Sequence, residues 1–118
     1  MNNIEVLNRY DFHDSLIDSC TYSKTNKTVS LEIDLCYWKQ SWYNDVLPET
    51  GMITLIFHNV KNEIVTDAEL NSDEIISFKY LSDGESVCGV RFVVLNDKEN
   101  DVQNIDIFSQ TVSVIVNK

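Results

Sequence analysis

The amino-acid sequence predicts an all-β fold, mainly antiparallel, built as a sandwich or a partly open barrel of about seven or eight short strands. Three observations predict it. Apolar residues recur at every second position wherever the chain is regular, the regular stretches are short, and clusters of polar turn residues separate them. With 118 residues, one domain spanning the whole chain is the expectation, because that length buries one core without needing a second.

The elements follow in order. Leu16 to Tyr22 reads as a strand, and Ser23-Lys24-Thr25-Asn26-Lys27 as the hairpin loop that pairs it with the next. Thr28 to Leu35 alternates most cleanly: Val29, Leu31, Ile33 and Leu35 point one way, and Ser30, Glu32 and Asp34 the other. Cys36 to Gly51 is the longest irregular stretch and holds Tyr37, Trp38, Trp42, Tyr43 and the only proline, Pro48. Met52 to His58 is a more continuous apolar run, as in a strand covered on both faces or at a central sheet position. Val60 to Thr66 reads as a short further strand. Ile75 to Leu81 reads as another, closed by the turn residues Ser82-Asp83-Gly84. Here a short helix competes, because Asn71-Ser72-Asp73-Glu74 suits a helix N-terminus and Ile75, Phe78 and Leu81 share a helical face. Val87 to Leu95 then returns as a strand. Ile105 to Phe108 and Val112 to Val116, separated by Ser109-Gln110-Thr111, form the pattern of a closing hairpin.

Charge narrows the partners. Nineteen acidic residues against nine basic ones leave a formal net charge of −10, which disfavours direct binding to nucleic acid or to an anionic membrane. A basic protein partner suits that charge. No window is apolar enough to span a membrane, and Met1-Asn2-Asn3-Ile4-Glu5 lacks the basic start of a secretory signal, so a cytoplasmic protein is expected. Cys20, Cys36 and Cys88 are widely spaced without a C-x-x-C pair, so free thiols in a reducing compartment fit better than a zinc site or a disulfide framework.

Three stretches are candidates for function. Phe12-His13-Asp14-Ser15 places titratable residues between apolar ones. As chemistry, His13 and Asp14, with the second histidine His58, could centre a metal or small-ligand site. As structure, Asp14 and Ser15 would bond backbone groups in a turn that Phe12 and Leu16 anchor in the core. The structural corner is preferred, because adjacent strand residues face opposite ways and no further metal-ligand cluster accompanies them. The aromatic loop is the second candidate: Tyr37, Trp38, Trp42 and Tyr43 offer a large, amphipathic docking area, or alternatively plug one end of the sheet. The acidic stretch is the third, with Glu63, Asp67, Glu69, Asp73 and Glu74 and no lysine or arginine from Asn62 to Phe78. Such carboxylates can oppose a basic surface.

Enzyme signatures are missing: no G-x-S-x-G elbow, P-loop or dinucleotide fingerprint occurs, and three glycines leave little for phosphate-cradling loops. No catalytic residue, cofactor or metal is assigned. The start Tyr10-x-Phe12-His13-Asp14-Ser15-x-Ile17, followed by the alternating strand Val29 to Leu35, resembles small bacterial immunity proteins of polymorphic-toxin systems that share an F-H-D-S/A opening. The Trp38-x-x-x-Trp42-Tyr43 loop is outside that pattern. The resemblance implies neutralisation of a toxin and carries no catalytic residues.

The expectation is therefore a small acidic binding protein that inhibits a basic toxin or nucleic-acid enzyme. Alternatives are a phage-encoded inhibitor of a defence nuclease that mimics phosphate, and the metal- or small-ligand-binding domain centred on His13, Asp14 and His58.

Overall fold

The computed structural model describes residues 5, 7–62, 73–84, 87–96 and 101–116. Among these residues seven strands form: β1 (Leu16–Ser23), β2 (Thr28–Cys36), β3 (Thr50–His58), β4 (Asp73–Ser82), β5 (Val87–Asn96), β6 (Asp101–Ile107) and β7 (Thr111–Val116), with a 3-10 turn at Tyr37–Lys39. All pairings are antiparallel, and the order across one sheet is β6-β5-β4-β1-β2-β3-β7. The fold is all-β, as its alternation predicts. Of the two architectures expected, it is nearer the partly open barrel than the sandwich, because the strands make one continuous sheet rather than two.

That sheet is two wings on a narrow seam. β1 meets β4 through only two residue pairs, Leu16 with Glu74 and Ile17 with Asp73. The register slips in both strands just beyond the seam, between Ile17 and Ser19 in β1 and between Ile75 and Ser77 in β4. Each slip adds one extra residue to its strand, Asp18 in β1 and Ile76 in β4, and such bulges bend a strand and increase its twist. The wings therefore turn toward each other around one core. Val29, Leu31, Ile33 and Leu35 of one wing and Val90, Phe92 and Val94 of the other are all fully buried in the same cluster.

The far ends of the wings are stitched together after β3. Val60 N–H donates to the Lys27 carbonyl at 2.8 Å, and Lys61 N–H to the Phe108 carbonyl at 2.9 Å. The Asn62 amide then bridges two backbone groups, donating to Asp106 O at 2.8 Å and accepting from Phe108 N–H at 2.9 Å. The sheet curls without closing into a barrel, leaving β6 and β7 as its two edges. Arg91 and Asp106 lock β5 to β6 with paired contacts of 2.6 and 2.8 Å.

Two sequence expectations are corrected and two alternatives are decided. Residues 73–82 are strand throughout, so no helix begins at Ile75. Residues 60–62 are irregular because their backbone groups serve the stitch just described, and the rest of the strand expected over Val60 to Thr66 lies outside the described residues. β6 and β7 do not form a hairpin but sit at opposite edges, because after Phe108 the chain crosses to β3, where the Ser109 hydroxyl donates to the His58 carbonyl. β3 is buried on one face only: Ile53, Leu55 and Phe57 point into the core, while Thr54, Ile56 and His58 are half-buried outside.

Gly89 is required by close approach. A methyl group there would overlap the Ile107 carbonyl at the end of β6 and the Phe108 backbone just beyond it, which cannot rotate away as a side chain could. Gly89→Ala is expected to lower stability by about 1–3 kcal/mol, as overpacking does. A urea unfolding curve checks this.

Candidate functional site

The segment Tyr10 to Ser15 folds as a corner tied to β4. Asp14 N–H donates to Ile75 O at 3.0 Å, and Ile75 N–H returns to Ser15 O at 2.8 Å. Asp14 itself has φ of 67°, the left-handed region that Asp tolerates better than most residues. The local side-chain turn belongs to Asp11, whose Oδ1 accepts from His13 N–H at 3.0 Å. Asp14 does not make it. Ser15 is buried, and its hydroxyl accepts from Cys36 N–H at 2.9 Å, reaching the end of β2 rather than its own turn. Phe12 packs into the core, its ring centre 5.1 Å from that of Phe78 in a tilted contact and 5.6 Å from that of Phe92 edge-to-face. Leu16 is only half-buried, and Ile17 takes its place in the core.

The corner and the aromatic loop are one unit, and Gln40 joins them. This buried amide donates to Asp11 O at 2.8 Å and to Cys36 O at 2.9 Å, and accepts from Asp11 N–H at 2.9 Å. Every bonding site of the side chain but one lone pair is used. The loop is held across its base as well, where Tyr37 and Trp38 N–H both point at the Glu49 carbonyl, at 2.8 and 3.3 Å. Tyr37 is buried against Gly51, where any side chain would overlap its ring. Sequence reasoning missed Gln40, since one polar residue in an irregular stretch has no periodicity or spacing to mark it.

Outside the clamp, Lys39 fixes the surface. Its ammonium lies 2.8 Å from Asp14 Oδ2 and 3.4 Å from His13 Nδ1, and 5.3 Å from the Trp38 ring centre. The hydrogen bond from Lys39 holds the Asp14 carboxyl below its ordinary value, and the neighbouring His13 and Lys39 charges add to it. A carboxyl depressed on folding stabilises above its unfolded-state pKa, and that contribution is lost as pH falls through the folded-state value. The Asp14→Asn variant should therefore be less stable than the unsubstituted protein at neutral pH and converge with it in acid. Asp14→Ala should melt lowest, since alanine adds backbone strain at positive φ, and His13→Ala should change least. Thermal melts at neutral and acid pH test the order.

Trp38 and Trp42 stand out from this fixed base, 53% and 42% exposed. The helical turn stops at Lys39, so the two indoles do not form one helical face; Trp42 instead meets the Tyr37 ring edge-to-face at 5.1 Å. Tyr43 is half-buried against the core. Of the four aromatics expected to meet a partner, the tryptophans are accessible and Tyr37 supports them from below. Beside them opens an apolar cavity of about 590 Å³, walled by Tyr37, Trp42, Leu47 and Pro48 from the loop and by Ile53 and Val116 from β3 and β7.

Of the acidic stretch, only Asp73 and Glu74 lie among the described residues. Asp73 is 4% exposed, because it pairs with Ile17 at the seam where the wings meet, and its Oδ2 makes no hydrogen bond among the described residues. Glu74 is half-buried beside it, and Glu63, Asp67 and Glu69 lie outside the described residues. Exposed carboxylates do border the loop: Asp11, Asp14, Asp45 and Glu49. Lys39 is the only basic residue between Lys27 and Lys61, and it is already engaged by Asp14.

His13 and His58 cannot share a ligand. His13 contacts Lys39 just beyond the β2 end that pairs Cys36 with Thr50, whereas His58 closes the far end of β3, roughly 26 Å along the strand at 3.3 Å per residue. His58 Nε2 instead meets Ser113 Oγ at 2.8 Å, and no group of three or more potential metal ligands occurs among the described residues. The three cysteines are free. Burial pushes the Cys20 thiol up to about 11 and raises that of Cys36 as well, opposite to the shift that activates a nucleophile. No helix among the described residues is long and apolar enough to cross a membrane.

Compared with known protein families, characterised proteins and solved structures, the chain matches none.

Proposed function

We propose that this chain is a small acidic binding protein that docks a basic protein partner through the aromatic loop, in the manner of an immunity protein that neutralises a toxin. The observation that carries the reading is the presentation of Trp38 and Trp42: two large exposed side chains on a loop whose backbone is fastened by Gln40 and Glu49. Tryptophan is enriched among the residues that dominate interface energies, and a rigid base reduces the ordering cost of binding. Asp11, Asp45 and Glu49 supply negative charge around it with no free lysine or arginine of the loop to cancel it. Such complementarity speeds association more than it tightens the final complex. The resemblance of Phe12-His13-Asp14-Ser15 to the immunity-protein opening supports a toxin as that partner, and the corner that those residues build is what holds the loop in place.

The test is protection. The protein encoded next to this gene should prove toxic when produced alone, and cells producing it should survive when the unsubstituted chain is co-expressed and die when the double variant Trp38→Ala, Trp42→Ala replaces it. Each tryptophan is expected to contribute about 2 kcal/mol or more to binding, and His58→Ala should protect as well as the unsubstituted chain. The association rate with the purified toxin should fall steeply as salt rises. A salt-insensitive rate would remove the electrostatic part of the reading, and full protection by the double variant would remove the loop.

A further inference from the structure

Among the described residues the sheet has two edges, and they differ. β6 carries charge at Asp101 and Asp106. β7, Thr-Val-Ser-Val-Ile-Val, has no charged residue, no proline, and pairs with β3 without a register slip. Charge, proline and bulges are among the devices by which proteins blunt an exposed edge, and β7 has none of these three. Ile115 and Val116 are 48% and 51% exposed, and alternate residues of an edge strand turn backbone N–H and C=O groups outward, where another strand can pair.

The edge and the cavity are continuous. Val116 belongs to β7 and also walls the apolar cavity. It pairs with Ile53, whose side chain points to the core face, and residues directly opposite one another in a sheet share a face. A strand added outside β7 would therefore send the side chain opposite Val116 toward the cavity and its two neighbours toward the outer face. The cavity, about 590 Å³, has the size and apolar lining of a ligand pocket. Leu47 and Pro48 in its wall are bracketed by the exposed carboxylates of Asp45 and Glu49.

We infer that β7 and this cavity together receive an extended, cationic segment of the protein partner, which pairs its backbone with the β7 edge and inserts one aromatic or aliphatic side chain between Trp42 and Val116. The inference rests on the docking reading above and specifies how the partner is held. Backbone pairing supplies affinity, the cavity selects the side chain, and Asp45 and Glu49 select lysine or arginine beside it. A second copy of this chain is a poorer occupant, because two molecules of charge −10 repel.

The probe is a synthetic pentapeptide, acetyl-Lys-Val-Phe-Val-Lys-amide, titrated into the full chain while backbone amide resonances are followed by NMR. Saturable shifts are expected over Thr111–Val116 and in the loop, with binding roughly tenfold or more weaker when phenylalanine is replaced by glycine. Glutamate in place of both lysines should weaken it further, and N-methylation of alternate peptide amides, which blocks strand pairing, should abolish it. Unmoved β7 resonances, or equal shifts from all four peptides, would overturn the inference. So would sedimentation showing a dimer that Ile115→Lys converts to monomer, since the edge would then belong to a second copy. The protection assay with the Trp38→Ala, Trp42→Ala variant does not depend on β7, so failure here leaves the docking reading separately testable.

Discussion

Phe12→Ala is expected to lower the unfolding free energy by about 3–5 kcal/mol, the range for truncating a fully buried phenylalanine. Phe12 is 2% exposed and belongs to no strand, yet its ring sits among Tyr10, Phe78 and Phe92 at centroid distances of 5.9, 5.1 and 5.6 Å. Phe78 and Phe92 lie on β4 and β5, while Phe12 immediately precedes β1, so its ring ties the entry of one wing to the other wing. The β1–β4 seam contributes only two residue pairs there. Packing around Phe12 must do what backbone pairing does elsewhere, and the cavity left by alanine cannot collapse without moving a wing. Phe12→Leu, which keeps most of the volume, should lose much less. Urea unfolding checks both, and a loss for Phe12→Ala under about 1 kcal/mol, typical of ordinary surface changes, would contradict this account of the seam.

Gln40→Ala should cost about 2–4 kcal/mol, because it strands three backbone groups at once: Asp11 N–H, Asp11 O and Cys36 O. A buried polar group left without a partner costs about 1–3 kcal/mol, and water can reach the exposed Asp11 to recover part of the loss. Gln40→Glu is the sharper variant. A carboxylate can accept from Asp11 N–H but has no hydrogen to donate to the two carbonyls, so it should be no better than alanine despite its matching shape. Both variants should free the loop while leaving β5 and β6 in place, and partner binding should weaken by more than the loss in stability explains. Equal stability of Gln40→Ala and the unsubstituted protein would show that the clamp does not hold the loop.

The sheet was legible where its period is unbroken. In β2, Val29, Leu31, Ile33 and Leu35 are fully buried and Glu32 is exposed, as strict alternation requires. β4 shows why the helix competed there: the bulge at Ile76 inserts one residue, so Ile75 and Phe78 fall three apart instead of two and imitate helical spacing. The closing hairpin was misread for a different reason. Ser109-Gln110-Thr111 is suitable turn chemistry, but turn chemistry does not say which neighbour the next strand joins, and the Ser109 bond to His58 carries the chain to β3.

The candidate site was legible by composition and not by connection. The exposed tryptophans and the buried Phe12 could be singled out as residue types. That they share one scaffold could not, because the link is an amide bonding residues 29 positions away. Asp73 shows the converse, since a carboxylate in an acidic run looks like surface until strand pairing places it opposite Ile17.

Amide hydrogen exchange in the unsubstituted protein tests the central claim, that corner and loop form one fixed base for Trp38 and Trp42. The N–H groups of Tyr37, Trp38, Gln40 and Tyr43 all donate within or across the base of the loop, and Asp11 N–H donates to Gln40. The account predicts slowed exchange at all five, lost together in Gln40→Ala while Val90 to Val94 of β5 stay protected. Exchange of these five at unfolded-chain rates in the unsubstituted protein would contradict it.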